Sequence, residues 1–598
     1  MSTVRERSDI DAEYKWDLED IYGSDEEWEA AFEAVSERIE ELSAYEGRVT
    51  EGPETLLSAL ETEEEILREV EMVVSYARLR SAEDTRDQEY QAMAAKAQSL
   101  GTDAYSAVSY LEPELQQLTR QEVDDWMDEE PALAAYEHYF DDVLRMKPHT
   151  RSSEVEELLA DLSEVTSGAS EVYSMLADAD MEFPTVERPD GEAVEITQGN
   201  FTKLQRHPDR AFRQEVHEAF YDRWADVRNA VGTALQNSVK GDVKLAAARD
   251  YDSAREAALD GPNVPVEVYD TLLETVRENL DALHAHVDLK KKGLGVDELQ
   301  MWDLYAPVLG GESPEIPYEQ AVEYVVDAVA PLGEAYQERL AEGLESRWVD
   351  VYENRGKRSG AFSAGTYDTQ PFILMNYQDD VSSMFTLAHE LGHSLHSELA
   401  SDAQPWQYAS YDIFTAEVAS TVNETLLTNY LLETVEDDHL RRHVLDEFLE
   451  RVRSTLFRQT MFAAFEQQIH EISEEGGALT PDRFDELYGD LKREFYANAT
   501  VDDRIVREWM RIPHFYRAFY VYQYSTGICA AMAIVERIRE EGEGAAADYR
   551  SFLELGGREY PLAALRTAGV DMASTEPIES ATDAYRSYID EMDGLLEE

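Results

Sequence analysis

Apolar residues return every three or four positions through most of this chain, and that spacing commits it to a mainly α-helical fold. Trp28, Phe32, Val35, Ile39 and Leu42 form one such stripe. Comparable stripes run over 56–80, 90–111, 155–176, 210–248, 266–289 and 319–341. Pro113, Pro131, Pro148 and Gly261-Pro262 mark breaks between them. Two stretches read as strands instead. Residues 181–197 alternate around Asp190-Gly191, a hairpin signal. Residues 348–352 and 371–377 read as strands joined by a glycine-rich turn around Gly356 and Gly360. They predict a small sheet directly before the helix at 381–399. Neither a repeat nor a linker marks a sharp division. A soft boundary near residue 200 separates an N-terminal helical region, 1–200, from a catalytic region, 201–598.

The chain carries 127 acidic against 52 basic residues, a formal charge of −75, yet 43% of it is hydrophobic. That apolar share supports a packed core and argues against disorder. Only 11 of the basic residues are lysine. Acid spread over the whole surface suits concentrated salt, where the Debye length falls to about 3 Å at 1 M, so a halophilic host is expected. Such a surface repels phosphates, which excludes nucleic acid as a partner. No run of about 18 apolar residues occurs, so no membrane-spanning helix is expected. The first 15 residues lack the apolar core of a signal peptide, and a cytoplasmic location follows as the expectation. Cys529 is the sole cysteine, which rules out an intramolecular disulfide and a multi-thiolate metal site.

Within the 381–399 helix stands His389-Glu390-Leu391-Gly392-His393. Residues four apart share a helix face, so both imidazoles can bind one ion at about 2.0–2.1 Å. Glu390 lies beside the open coordination position, placed to take a proton from water. Met384, Phe385, Leu387, Ala388, Leu391 and Leu395 make the surroundings apolar, and buried histidines need partners. A third ligand is required. His396 and Glu398 lie on the same helix, and His396 sits about 10.5 Å along the axis from His389, too far to share one ion easily. Glu417 is the lone acid of the apolar segment 414–421, where an unpaired carboxylate would be costly to bury. It is the expected third ligand. Glu424, seven residues on, shares its face and could orient a ligand histidine.

Three blocks now resemble the thimet-oligopeptidase-like zinc metallopeptidases, in their oligoendopeptidase F branch. They are Phe385–His396 with Ala416-Glu417 following, Gly356–Phe362 with Pro371–Asn376, and Ile512–Tyr516 with Phe519–Gly527. Trp16-Asp17-Leu18, Ile21-Tyr22 and His207–Arg210 extend the likeness over nearly the whole chain. The resemblance implies a two-lobed helical body around a deep channel that admits short unstructured oligopeptides. It implies one Zn2+ held by His389, His393 and Glu417, with Glu390 as general base. It further implies hydrogen-bond donors to the tetrahedral intermediate, for which His514, Tyr520 and Tyr522 are the candidates. On a continuous helix Tyr516, Tyr520 and Tyr524 would share one face, and Phe515, Phe519 and Tyr522 another. The peptide backbone is expected along a strand edge near Ala361-Phe362. Lys357 is either a substrate contact or a solvated turn residue. A helical carboxypeptidase with the same metal motif is the rival, disfavoured by the 356–362 and 512–527 blocks. Monomer and homodimer both stay open.

Overall fold

The structure, a computed structural model, describes residues 4–308 and 313–597. It is mainly α-helical, with one two-stranded and one three-stranded sheet among the described residues. The chain clusters into two compact units, each built from separated segments. The first comprises 1–148, 315–430 and 537–569, and the second 149–314, 431–536 and 570–598. The N-terminal helices thus share a unit with the metal-motif segment, and neither unit is cut near residue 200.

In the first unit, helices α1 (Asp25–Leu42), α2 (Pro53–Glu83) and α3 (Gln88–Val108) pack together. The predicted stripe of α1 turns Trp28, Val35 and Leu42 inward, while Phe32 and Ile39 stay partly covered at its margin. Leu56, Leu60, Leu67 and Val70 of one α2 face, and Tyr76 nearer its end, are buried in the same core. Each such side chain contributes about 1.5–3 kcal/mol relative to exposure.

That core reaches the small sheet through Phe372 and Leu374. The hairpin predicted around Asp190-Gly191 forms in the second unit, as β1 (Thr185–Glu187) and β2 (Ala193–Glu195). The larger sheet consists of β3 (Val349–Tyr352), β4 (Phe362–Ala364) and β5 (Phe372–Tyr377), in the order β3-β5-β4. Strand β3 pairs parallel to β5, and β4 pairs antiparallel to it, Ser363 facing Ile373. The segment after the expected turn at Gly356 and Gly360 thus supplies an edge strand, at the place expected for a strand edge near Ala361-Phe362. Asn376 holds the approach to it by donating to the carbonyls of Arg358 (3.0 Å) and Gly360 (2.9 Å).

Lys357 is neither a substrate contact nor a solvated residue. Its ammonium is buried 2.6 Å from Asp350 and donates to the carbonyls of Asp350 (3.0 Å) and Tyr352 (2.8 Å). Arg7 bridges Asp350 and Glu83, 2.6 Å from each. Burial alone would raise the Asp350 carboxyl, but Lys357 and Arg7 outweigh it and hold it below the usual range. This network ties β3 to the end of α2 and anchors the turn leading to β4.

Several expected helices are divided. The 319–341 stripe breaks into Tyr318–Ala328 and Glu334–Glu345, because Pro331 cannot continue a helix and Gly333 takes φ +98°. The 210–248 stripe also breaks, at Val227 (φ −107°, ψ 7°), without a proline or glycine there.

Candidate metal centre

Helix α4 (Val381–Ala403) carries the metal motif and packs against β4 and β5. Asp380 caps it by accepting from the Ser383 N–H at 2.8 Å. Helix α5 (Ile413–Thr434) returns across it. The crossing is close because Gly392 has no side chain: a Cβ there would lie 2.6 Å from the Ala419 carbonyl oxygen and 2.6 Å from the Ser420 Cα. Asn423 also donates to the Ala388 carbonyl at 3.2 Å.

This approach brings Glu417 to the histidine pair. His389 Nε2 and His393 Nε2 are 3.2 Å apart, and Glu417 Oε2 is 3.7 Å from His389 Nε2. The three ligand atoms lie within 4.8 Å of one another. Tetrahedral ligands at zinc distances are separated by about 3.3 Å, so the cluster is close to what an ion requires. The hydrogen-bond partners point the same way. Glu424 Oε1 is 2.9 Å from His389 Nδ1 and accepts the Nδ1–H hydrogen bond, which leaves Nε2 free to act as a ligand. His393 donates to the Ala416 backbone, and burial followed by the neighbouring His389 lowers its pKa to about 4. Two imidazole nitrogens and a carboxylate oxygen therefore converge on one point, an arrangement that a cation satisfies.

Glu424 is almost wholly buried (1% of its side chain exposed), as its expected role in orienting His389 requires. Glu424→Gln is expected to weaken metal binding about 10–100-fold, read by competition against a chromophoric chelator. An unchanged affinity would release Glu424 from this role.

Glu390 is buried beside the cluster. Burial, reinforced by the charge of Glu417, pushes its carboxyl up to about 7, although the Ser363 N–H of β4 donates to it. Ser363 Oγ also lies 2.9 Å from Ser394 Oγ, which fastens the edge strand to α4. The excluded third-ligand candidates have other duties. His396 is fully buried and stacks on Tyr411 with ring centroids 3.6 Å apart. Glu398 pairs with Arg339 at 2.9 Å. Tyr411 itself was not legible in the sequence, because nothing distinguishes one tyrosine in a connecting loop. It lines a cavity of about 750 Å³ together with His393, Glu417 and residues 363–367.

The donor candidates lie in the second unit, and their segment is not a continuous helix. A short turn at Pro513–Tyr516 is followed by Phe519 at φ +55°, and helix α6 starts only at Tyr522 (Tyr522–Glu541). The buried Glu466 accepts the Phe519 N–H at 3.0 Å and holds this left-handed residue. The kink groups His514, Tyr520 and Tyr524. Their ring centroids are 5.9 Å apart for His514–Tyr520 and 5.5 Å for Tyr520–Tyr524. Tyr516 instead stacks on Tyr173 at 4.6 Å. Tyr522 is buried against Tyr269. Burial, then Arg517 and Arg458, keep His514 below the usual histidine pKa.

The chain is similar to known peptidases over nearly its whole length. The model of peptidase family M3 matches residues 203–584, and that of oligopeptidase F matches 114–183. Oligopeptidase PepF of Bacillus subtilis is 43% identical over 99% of this chain and 88% of its own length. Group B oligopeptidase PepB of Streptococcus agalactiae is 38% identical over 99% of this chain and 98% of its own. The crystal structure of oligoendopeptidase-F from Enterococcus faecium superposes with a TM-score of 0.74 at 34% identity, covering 96% of this chain and 99% of that one.

Proposed function

Because this chain belongs to peptidase family M3 and is a metallo-endopeptidase of the oligoendopeptidase F branch, we propose that it hydrolyses short, unstructured oligopeptides with one zinc ion and Glu390 as general base. The observation that carries the reading is the convergence of three lone-pair donors within 4.8 Å, with a buried carboxyl beside them. His389, His393 and Glu417 would hold the ion, and Glu424 would orient His389. When bound, zinc supplies Lewis-acid chemistry that polarises a carbonyl and acidifies water. Glu390 accepts the proton of the attacking water and delivers it to the leaving amine. The backbone of β4, an edge strand, binds the peptide as an added strand, which reads main chain rather than side chains. His514 and Tyr520 are the proposed donors to the oxyanion, the electrostatic contribution usually largest in such reactions. Tyr522 would have to leave its buried contact with Tyr269 to join them.

No helix among the described residues is long and apolar enough to cross a membrane. The charge of −75 supports a halophilic host, so assays belong in molar salt.

The test combines metal analysis with peptide digestion. One zinc per chain is expected, and a chelator should abolish cleavage of internally quenched peptides until zinc is restored. Peptides blocked at both ends should be cut at an internal bond. If blocked peptides stay whole while free ones are trimmed from the C-terminus, the enzyme is a carboxypeptidase instead.

A further inference from the structure

In a chain with 127 acids and 52 basic residues, a cavity walled by more arginines than carboxylates is conspicuous. One of about 390 Å³ lies wholly within the second unit. Arg206, Arg458 and Arg511 line it, and among the described residues of its wall Glu450 is the only acid. The three arginines come from separate segments. Arg206 follows the helix Gln198–Gln205, Arg458 opens the helix Arg458–Glu474, and Arg511 ends the short turn Ile505–Arg511. His514 belongs to the same wall.

The nearby carboxylates do not balance this charge. Arg206 pairs with Glu447 at 3.0 Å. Glu450 is held by Arg453 (2.9 Å) and Lys290 (3.4 Å). Glu508 is shared by Lys492 (2.6 Å), Arg458 (2.7 Å) and Arg511 (3.7 Å). Five cations thus meet two carboxylates, and burial raises the carboxyl of Asp446, beside Lys290, toward its neutral form. Arg458 and Arg511 keep only 14% and 11% of their side chains exposed. Their buried Nε–H groups donate to no protein acceptor among the described residues. Tyr305, which also lines the cavity, feels the excess. Burial would raise its hydroxyl, but Arg458 and Arg511 outweigh it and hold it below the usual tyrosine range. Buried guanidiniums short of carboxylates call for another anion, because an unbalanced buried charge is strongly destabilising.

We propose that this cavity binds one small monovalent inorganic anion of the chloride class, and that its occupancy raises peptidase activity through His514. A monovalent ion suits the site better than phosphate, since Glu450 stands in the same wall and repels a dianion. Arg458 and Arg511 supply the unshared N–H donors, and Arg206 adds a third charge. The coupling rests on the function proposed above, in which His514 donates to the oxyanion. Burial, then Arg517 and Arg458, disfavour the protonated imidazole. An anion beside Arg458 offsets that repulsion, so His514 holds its proton better and donates more strongly.

The test uses the zinc-loaded full chain and matched peptides with and without one acidic side chain. Chloride is titrated into potassium glutamate at constant ionic strength, which separates a site from general screening. The wild type should gain about fivefold or more in kcat/KM along a saturable curve, whichever peptide is used. Arg458→Gln, and Arg206→Gln at a partly exposed position that leaves the buried pairs intact, should each raise the chloride midpoint by about tenfold. Arg48→Gln, which alters an exposed ion pair with Glu51, should leave it in place. Crystals grown in bromide should show an anomalous peak within hydrogen-bonding distance of Arg458 and Arg511. A wild type with neither a saturable chloride response nor bromide in the cavity overturns the site. So does an equal shift of the midpoint in Arg48→Gln, which would indicate general charge. Bromide bound there with activity independent of chloride overturns the coupling to His514. Chloride that acts only by competing with the acidic peptides overturns the inorganic anion and gives the cavity to the substrate. Failure to cut any peptide in any salt, with bromide in place, counts against the endopeptidase reading and leaves the anion site standing.

Discussion

Glu390→Gln is expected to keep its zinc and lose turnover by about a thousandfold or more. The amide preserves the shape of the carboxyl and can still accept from the Ser363 N–H. It has no basic oxygen with which to take a proton from water. The proposed ligands His389, His393 and Glu417 are untouched, so metal content and unfolding midpoint should match the wild type. The loss should fall on kcat rather than KM, since a general base acts in the transition state and contributes little to holding the peptide. Burial and the neighbouring Glu417 already push its carboxyl up to about 7, the range in which one group can accept a proton and then donate it. Stopped-time assays with matched zinc occupancy would measure this. Hydrolysis within tenfold of the wild type would assign the base elsewhere.

Gly392→Ala should be nearly as damaging, although Gly392 contacts neither metal nor peptide. Its added methyl would sit 2.6 Å from the Ala419 carbonyl oxygen and 2.8 Å from the Ser420 nitrogen. Both are backbone atoms of α5, which no rotamer change can move. Either α5 must retreat from α4 or the variant must tolerate a severe overlap. The clash lies next to His393 on one helix and beside Glu417 on the other, so relief of strain separates the ligands. Overpacking of this kind costs about 1–3 kcal/mol or more in stability, and the metal should bind at least about tenfold more weakly by chelator competition. A variant with wild-type affinity and wild-type unfolding midpoint would refute the view that this crossing sets the ligand geometry.

Much of the centre was legible before any fold was known, and the reason is local. His389, Glu390 and His393 are placed by the backbone repeat of a single helix, so sequence spacing is already spatial spacing. Glu417 and Glu424 were legible as acids in an apolar segment, where an unpaired carboxylate is costly. The strand pair before α4 and the hairpin at Gly191 followed from alternation and turn chemistry, which also act over a few residues.

Other features depend on segments that meet only in the folded chain. Lys357 looks like any turn lysine until β3 and residue 7 close over it. The 512–524 block reads as one helix until Glu466, some fifty positions earlier, captures the Phe519 amide and kinks it. The tolerance for nothing larger than hydrogen at Gly392 belongs to a partner helix. Periodicity and composition determined which elements form and which side chains they offer, because those depend on backbone geometry within a turn or two. Packing decided which of these side chains share a cavity, because distances between remote segments are set by the burial of whole helix faces at once.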